Sequence, residues 1–394
     1  MGLLRALDYH KSPSFRLGKE VEYQLYSWGE IGPPFLGDRE HSMRARCILC
    51  KFPFRLFSSS TPGNGQWPQK LCLTFKTSYE VRGEDTRGFY SDETAKEFAA
   101  FLSLVTRRRV FASKLIRSDG LPVEEEVHLY QRSHFQERQG SKEIEPEQIY
   151  LLLENLRTMD RRIADIFILA TRLYHSAVAM MYTDPEFSYL FLIACLEAIS
   201  SAVYKGYRPN EDGFLESRYP KLKAKLNNVP EKEREGLRKE VLRNEKFILI
   251  KFSKFVSENV PECFWSETED NAKPDYLTVI FERGPNGSGQ ETISHSDITI
   301  QNKERIEREG LEAALKNIYD ARSRLIHQGI RLPANIVIGL FRRISPQMFL
   351  EMTQSLPKDQ RKLTKPIPPL LTFERLVSYS MTEFLHKQQS RRGH

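Results

Sequence analysis

Eleven residues, Ile149, Leu152, Leu153, Leu156, Met159, Ile163, Phe167, Ala170, Tyr174, Ala177 and Met181, hold helical spacing for roughly thirty residues. No feature of the chain constrains its fold more. A stripe of that length needs a partner along its whole face, and it predicts a long bundle helix, straight or kinked. Pro146 stands where a first helical turn accepts proline. Asp184-Pro185 then opens a second helix over 185–205, closed by Gly206. That segment is apolar almost all round, as expected of a central bundle helix, and Glu197 is the charged residue inside it.

The stretch before this stripe has a different texture. Residues 21–28, 46–57 and 71–79 are rich in β-formers, and the Ser-Thr-Pro-Gly-Asn run at 58–65 is a loop. Ser91-Asp92-Glu93 opens a helix with apolar residues at Ala95, Phe98, Ala99, Leu102 and Val105, ending in Arg107-Arg108-Arg109. The expected fold class is therefore mainly α: a helical bundle over 145–394, preceded by a smaller α+β domain over 1–140. Within the bundle, 207–260 is highly charged and ends in a helix over 231–258. Residues 261–300 are irregular, with a Gly-rich loop at 284–290, and a last helix covers 373–387.

Bulk properties exclude some classes. The 394 residues carry a formal net charge of +7, a balance compatible with a nucleic-acid partner. Cys47 and Cys50 form a lone C-x-x-C without a second pair at zinc spacing, and their surroundings resemble a strand. Neither a metal nor a cofactor is expected. The N-terminus does not match a signal peptide or a myristoylation signal. The longest apolar runs are interrupted by polar residues, short of the roughly 18 residues of a membrane span. The expectation is a soluble, cytoplasmic protein without a membrane partner.

The run 310–327 carries the candidate chemistry. Its stripe of Leu311, Leu315, Ile318, Leu325 and Ile326 is interrupted by Arg322, and a charge on a buried face is costly unless paired or placed in a wet cleft. His327 follows five positions later, with Gln328-Gly329 behind it. On one ideal helix Arg322 and His327 diverge by about 140°. They converge only along a cleft at the helix edge, or when a second copy packs across a twofold axis. The C-terminal dipole favours a protonated His327. Ser323 and Asp320 share its flank and could orient it.

An arginine and a histidine suffice for metal-free RNA cleavage. The histidine moves the proton of the 2′-hydroxyl or of the leaving oxygen, and the arginine neutralises the phosphorane. DNA lacks that hydroxyl and is not cut this way. Arginine clusters and lysines offer a path for RNA: Arg107-Arg108-Arg109, Lys221, Lys223 and Lys225, Lys251 and Lys254, Arg342-Arg343, and Arg391-Arg392. The structural alternative is an Arg322–Glu197 pair that fixes helix register, with His327 capping the last carbonyls.

Three segments resemble the HEPN superfamily, and its ApeA-like branch in particular. They are Tyr189 to Ile199, with its Leu-Glu-Ala end; Ile318 to Gly329, with its tyrosine–arginine–histidine–glycine order; and Phe373 to Val377. Together they span about residues 145–390. Many relatives carry glycine directly after the histidine, whereas Gln328 intervenes here. The resemblance implies a helical bundle, a homodimer that unites two copies of the motif, and metal-independent endoribonuclease activity in phage defence or a toxin-like role. It implies Arg322 and His327 as the catalytic pair and Ser323 as a supporting residue, with Glu197 near the pair, either positioning Arg322 or structural; Asp320 joins the supporting residues from its place on the flank of His327. The superfamily also contains inactive members that serve as binding or scaffold modules. A DNA-binding regulator has no helix-turn-helix or zinc module to support it.

Overall fold

The computed structural model describes residues 3–4, 7, 20–27, 46–49, 54–59, 71–78, 88–107, 110–114, 146–181, 183–243, 247–266, 280–281, 291–292, 308–333, 336 and 367–390. The described residues form a mainly helical structure. In chain order the helices are α1 (Gly88–Thr106), α2 (Pro146–Thr158), α3 (Arg161–Met180), α4 (Pro185–Val203), α5 (Glu211–Arg218), α6 (Pro220–Asn227), α7 (Glu231–Arg243), α8 (Ile248–Asn259), α9 (Cys263–Ser266), α10 (Leu311–Gln328) and α11 (Leu370–Ser390).

The expected long first helix is two helices. Asp160 breaks it, and its carboxylate accepts the Arg162 and Ile163 N–H groups as the N-cap of α3. The helix expected over 231–258 also divides, into α7 and α8. The break is at Phe247, held at φ 51°. Helix α4 begins at its Asp184 cap with Pro185 in the first turn, as its sequence dictates.

One apolar cluster joins the ends of the chain. Leu3, Leu4 and Leu7 are buried with Ala95, Phe98, Leu102 and Val105 of α1, and with residues of α2, α3, α4, α8, α10 and α11. Tyr189 of α4 stacks on Phe373 of α11 at 4.6 Å between ring centres. The Cys195 thiol donates to the Met381 thioether at 3.1 Å. The Leu3 N–H donates to the buried Glu97 carboxylate at 2.9 Å.

A separate α+β domain over 1–140 is not supported. Helix α1, expected inside it, is a member of the bundle core. Its apolar residues face α3 and α11, and two polar contacts fasten its end. Arg107, at φ 54°, pairs with Glu374 at 2.9 Å, and Glu374 also accepts the Tyr174 hydroxyl. The Ser378 hydroxyl donates to the Leu104 carbonyl at 2.7 Å. The strand segments are β1 (Glu20–Ser27), β2 (Arg46–Leu49), β3 (Phe54–Ser59), β4 (Leu71–Ser78) and β5 (Val110–Lys114), in the order β2-β3-β4-β1-β5. Their pairing is antiparallel, with Glu20 opposite Ser78 and Ser27 opposite both Leu71 and Val110. A further pair is β6 (Ile280–Phe281) with β7 (Glu291–Thr292).

By length and composition alone, α3 and α4 are apolar enough to cross a membrane, contrary to the reading of interrupted runs. Core helices pass the same test, and both helices contribute many of the buried residues of the bundle.

A second, smaller core lies in the stretch between α4 and α8. Leu215, Leu226, Leu242 and Phe247 are buried there, with Phe214 edge-on to Phe247 at 4.9 Å. Helices α5, α6 and α7 thus form an appendage with its own apolar centre, rooted on α8 through Phe247 and Ile250.

Candidate functional site

Helix α10 carries the Arg-His stretch. Leu311, Leu315, Ile318 and Ala321 are its buried face. Ile326, expected on the apolar stripe, is 50% exposed, and Leu325 is only partly buried against the core. The helix end is local chemistry. Gly329 sits at φ +66°, where its N–H donates to the Leu325 carbonyl at 3.2 Å and the Ile330 N–H donates to the Arg324 carbonyl at 3.4 Å. Gln328 is therefore the last helical residue, and Gly329 the left-handed stop.

The chain after Gly329 is pinned back onto α4. Glu186, in the first turn of α4, accepts the Leu332 N–H at 2.8 Å and the Arg331 Nε at 3.1 Å. Arg322 meets Glu197 further along α4, so α10 and α4 run antiparallel. Sequence reasoning did not single out Glu186. Its only signal was an acid in a first turn, which the helix dipole alone explains.

Arg322 lies in the seam between α10 and α4. Its Nη2 is 3.4 Å from Glu197 Oε2, with side chains 28% and 17% exposed. Its guanidinium lies 5.7 Å from the centre of the Tyr319 ring. The other Glu197 oxygen, Oε1, is buried without a hydrogen-bond partner among the described residues. Burial pushes the Glu197 carboxyl above its ordinary range, and the opposing pull of Arg322 does not cancel that. The pair is therefore a single long contact. A charge-assisted bond between arginine and carboxylate is ordinarily about 2.7–2.9 Å and often bidentate.

The contrast with Arg107–Glu374 is instructive. That pair is 2.9 Å long with side chains 6% and 0% exposed. The Arg322–Glu197 pair of the structural alternative is thus present, but longer and less buried than Arg107–Glu374. The latter pair also removes Arg107 from the basic residues available to RNA. Arg108, Arg109, Arg342, Arg343, Arg391 and Arg392 lie outside the described residues. Lys254 is held by Glu258 at 2.5 Å, and Lys223 by Glu216 at 2.7 Å.

His327 is exposed in the last turn of α10. Among the described residues it has no hydrogen-bond or ion-pair partner, and neither Ser323 nor Asp320 orients its ring. Asp320 instead supplies its backbone carbonyl to Arg324 Nε at 3.3 Å. One chain thus brings Arg322 and Glu197 together and leaves His327 on a different flank. Phe187, 54% exposed, and the half-buried Leu190, Phe191, Ala194 and Ala198 follow one face of α4 beside Glu197. With Ile326 they make an apolar strip alongside the Arg322 seam. Among the described residues no group of three or more His, Cys, Asp or Glu could hold a metal ion. Cys47 lies in β2, and Cys50 lies outside the described residues.

Fold and site together define a helical-bundle protein with an arginine–histidine helix at its edge. No family model, curated protein or solved structure matches the chain.

Proposed function

We propose that this protein is a metal-independent endoribonuclease of HEPN type, acting as a dimer in a phage-defence or toxin-like role. The observation that carries the reading is the state of Arg322. Its guanidinium is 28% exposed, makes one hydrogen bond of 3.4 Å to Glu197 and lies near the Tyr319 ring, whereas Arg107–Glu374 is a short, buried pair. That leaves most of its donors free for a phosphate.

The proposed chemistry begins with attack of the 2′-hydroxyl oxygen on the adjacent phosphorus. His327 of one copy takes the hydroxyl proton, and the P–O5′ bond breaks as the departing oxygen gains a proton. The products are a 2′,3′-cyclic phosphate and a free 5′-hydroxyl. Arg322 neutralises the phosphorane in between. Because the two side chains diverge by about 140° on one helix, they act together across two copies. The apolar strip of Phe187, Phe191 and Ile326 supplies a face for that contact. The β1–β5 sheet region before the bundle is proposed to sense a trigger or partner.

A second reading, an inactive HEPN-type binding or scaffold module, is favoured by the Arg322–Glu197 contact itself. Labelled RNA incubated in EDTA separates the two. Under the ribonuclease reading the wild type cuts, while Arg322→Ala and His327→Ala each lose at least about a hundredfold with helical circular dichroism intact. Undiminished cutting by His327→Ala would overturn the mechanism. No cutting by the wild type would leave the scaffold reading standing.

A further inference from the structure

The α5–α7 appendage has an unusual distribution of charge. Its acids are largely engaged. Arg238 holds Glu211 at 3.0 Å and Asp212 at 3.2 Å, Lys223 holds Glu216, and Lys239 holds Glu235 at 2.9 Å. Glu231 and Glu233 fall in the first turn of α7, where the helix dipole favours them. Helix α6, with the sequence PKLKAKLN, contains no acid. Its inner side is Leu226, buried, and Leu222, packed on the small core. Its outer side is Lys221, Ala224, Lys225 and Asn228, all exposed. Neither Lys221 nor Lys225 has an ion-pair partner among the described residues.

Arg234 of α7 donates to the Asn227 and Val229 carbonyls at 3.0 and 3.1 Å, closing the free end of α6. At the far end of the bundle, Tyr204 meets Glu258 and Glu262 meets Arg308. From that end, Ile248 lies about 15 Å back along α8 and Arg322 about 17 Å along α10 at 1.5 Å per residue. The root of the appendage and the Arg322 seam therefore stand at the same level of the bundle.

We infer that α6 is a phosphate-gripping arm that binds the backbone of single-stranded RNA outside the cleavage site. The inference rests on the ribonuclease reading and names the surface that holds the substrate. Side chains four apart on a helix stand about 6 Å apart, close to the spacing of successive phosphates in an extended strand. Small Ala224 between the two lysines lets a strand lie close to the helix. Lysine contacts of this kind add affinity without sequence preference, and the added affinity weakens with salt.

The test uses the full chain carrying His327→Ala, so that RNA is bound but not consumed. Anisotropy of a labelled 30-nucleotide single-stranded RNA is measured from 50 to 300 mM salt. Lys221→Gln/Lys225→Gln is compared with Lys232→Gln/Lys239→Gln, which removes the same charge from α7. The arm predicts an affinity loss of about tenfold at low salt for the α6 variant, and a salt slope shallower by about 1.4. The α7 variant should match the parent within about twofold. Equal losses in both variants, or none in either, would overturn the arm while leaving the ribonuclease reading intact. A parent that binds no RNA would remove both.

Discussion

At the scale of single residues, two arginine–carboxylate pairs in one bundle have opposite characters. Arg107 and Glu374 are sealed in the core and Glu374 also accepts the Tyr174 hydroxyl, so removing a partner strands a buried charge. Glu374→Ala is expected to lower unfolding free energy by about 3–5 kcal/mol, and Tyr174→Phe by about 1 kcal/mol, in urea titrations. Glu197 behaves differently. Its carboxyl is shifted up by burial, so the folded state holds the proton more tightly than the unfolded chain does. The ionised carboxylate thus costs stability, and the cost grows as pH rises from the ordinary carboxyl range through the raised folded value. Glu197→Gln is expected to raise the melting temperature at pH 8, with the gain vanishing at pH 4 in thermal melts. Destabilisation at pH 8 would mean the Arg322 contact outweighs the burial of Glu197.

At the scale of elements, the ends of α4 and α10 were legible because their signals are local. Asp184-Pro185 starts one, and Gly329 stops the other. A Cβ at Gly329 would meet nothing within 4 Å, so its requirement is the left-handed backbone alone. Gly329→Ala is expected to cost about 1 kcal/mol, and Gly329→Asn less, by chemical denaturation. The break at Phe247 was not legible. A phenylalanine at φ 51° has no local reason, and its position follows from packing against Phe214 in the small core. Asp160 was a readable cap, hidden by an apolar spacing that runs through it without interruption.

At the scale of the molecule, the sequence pattern conveys that helices pack but not which helices. The apolar face of α1 predicts burial. Only the contacts of Leu104 with Ser378 and Arg107 with Glu374, far apart in sequence, show that the burial is within the bundle. Arg107, read from the sequence as part of a basic cluster, is buried in that pair for the same reason. The candidate site shows the complementary limit. Spacing placed Arg322 and His327 on different flanks of one helix, and the structure agrees: Arg322 is in the α4 seam and His327 is in solvent. A partner for that flank lies outside a single chain's sequence pattern.

The central claim, that one catalytic centre draws Arg322 and His327 from two copies, is tested most directly by subunit mixing. Arg322→Ala and His327→Ala chains are co-expressed and assayed for RNA cleavage in EDTA, beside each variant alone. The account predicts that each variant alone is inactive. In the mixture, half of the dimers pair unlike chains and each of those holds one intact centre, which restores about a quarter of wild-type activity. A mixture as inactive as its components, beside an active wild type, would contradict the account and place both residues in a single-chain cleft.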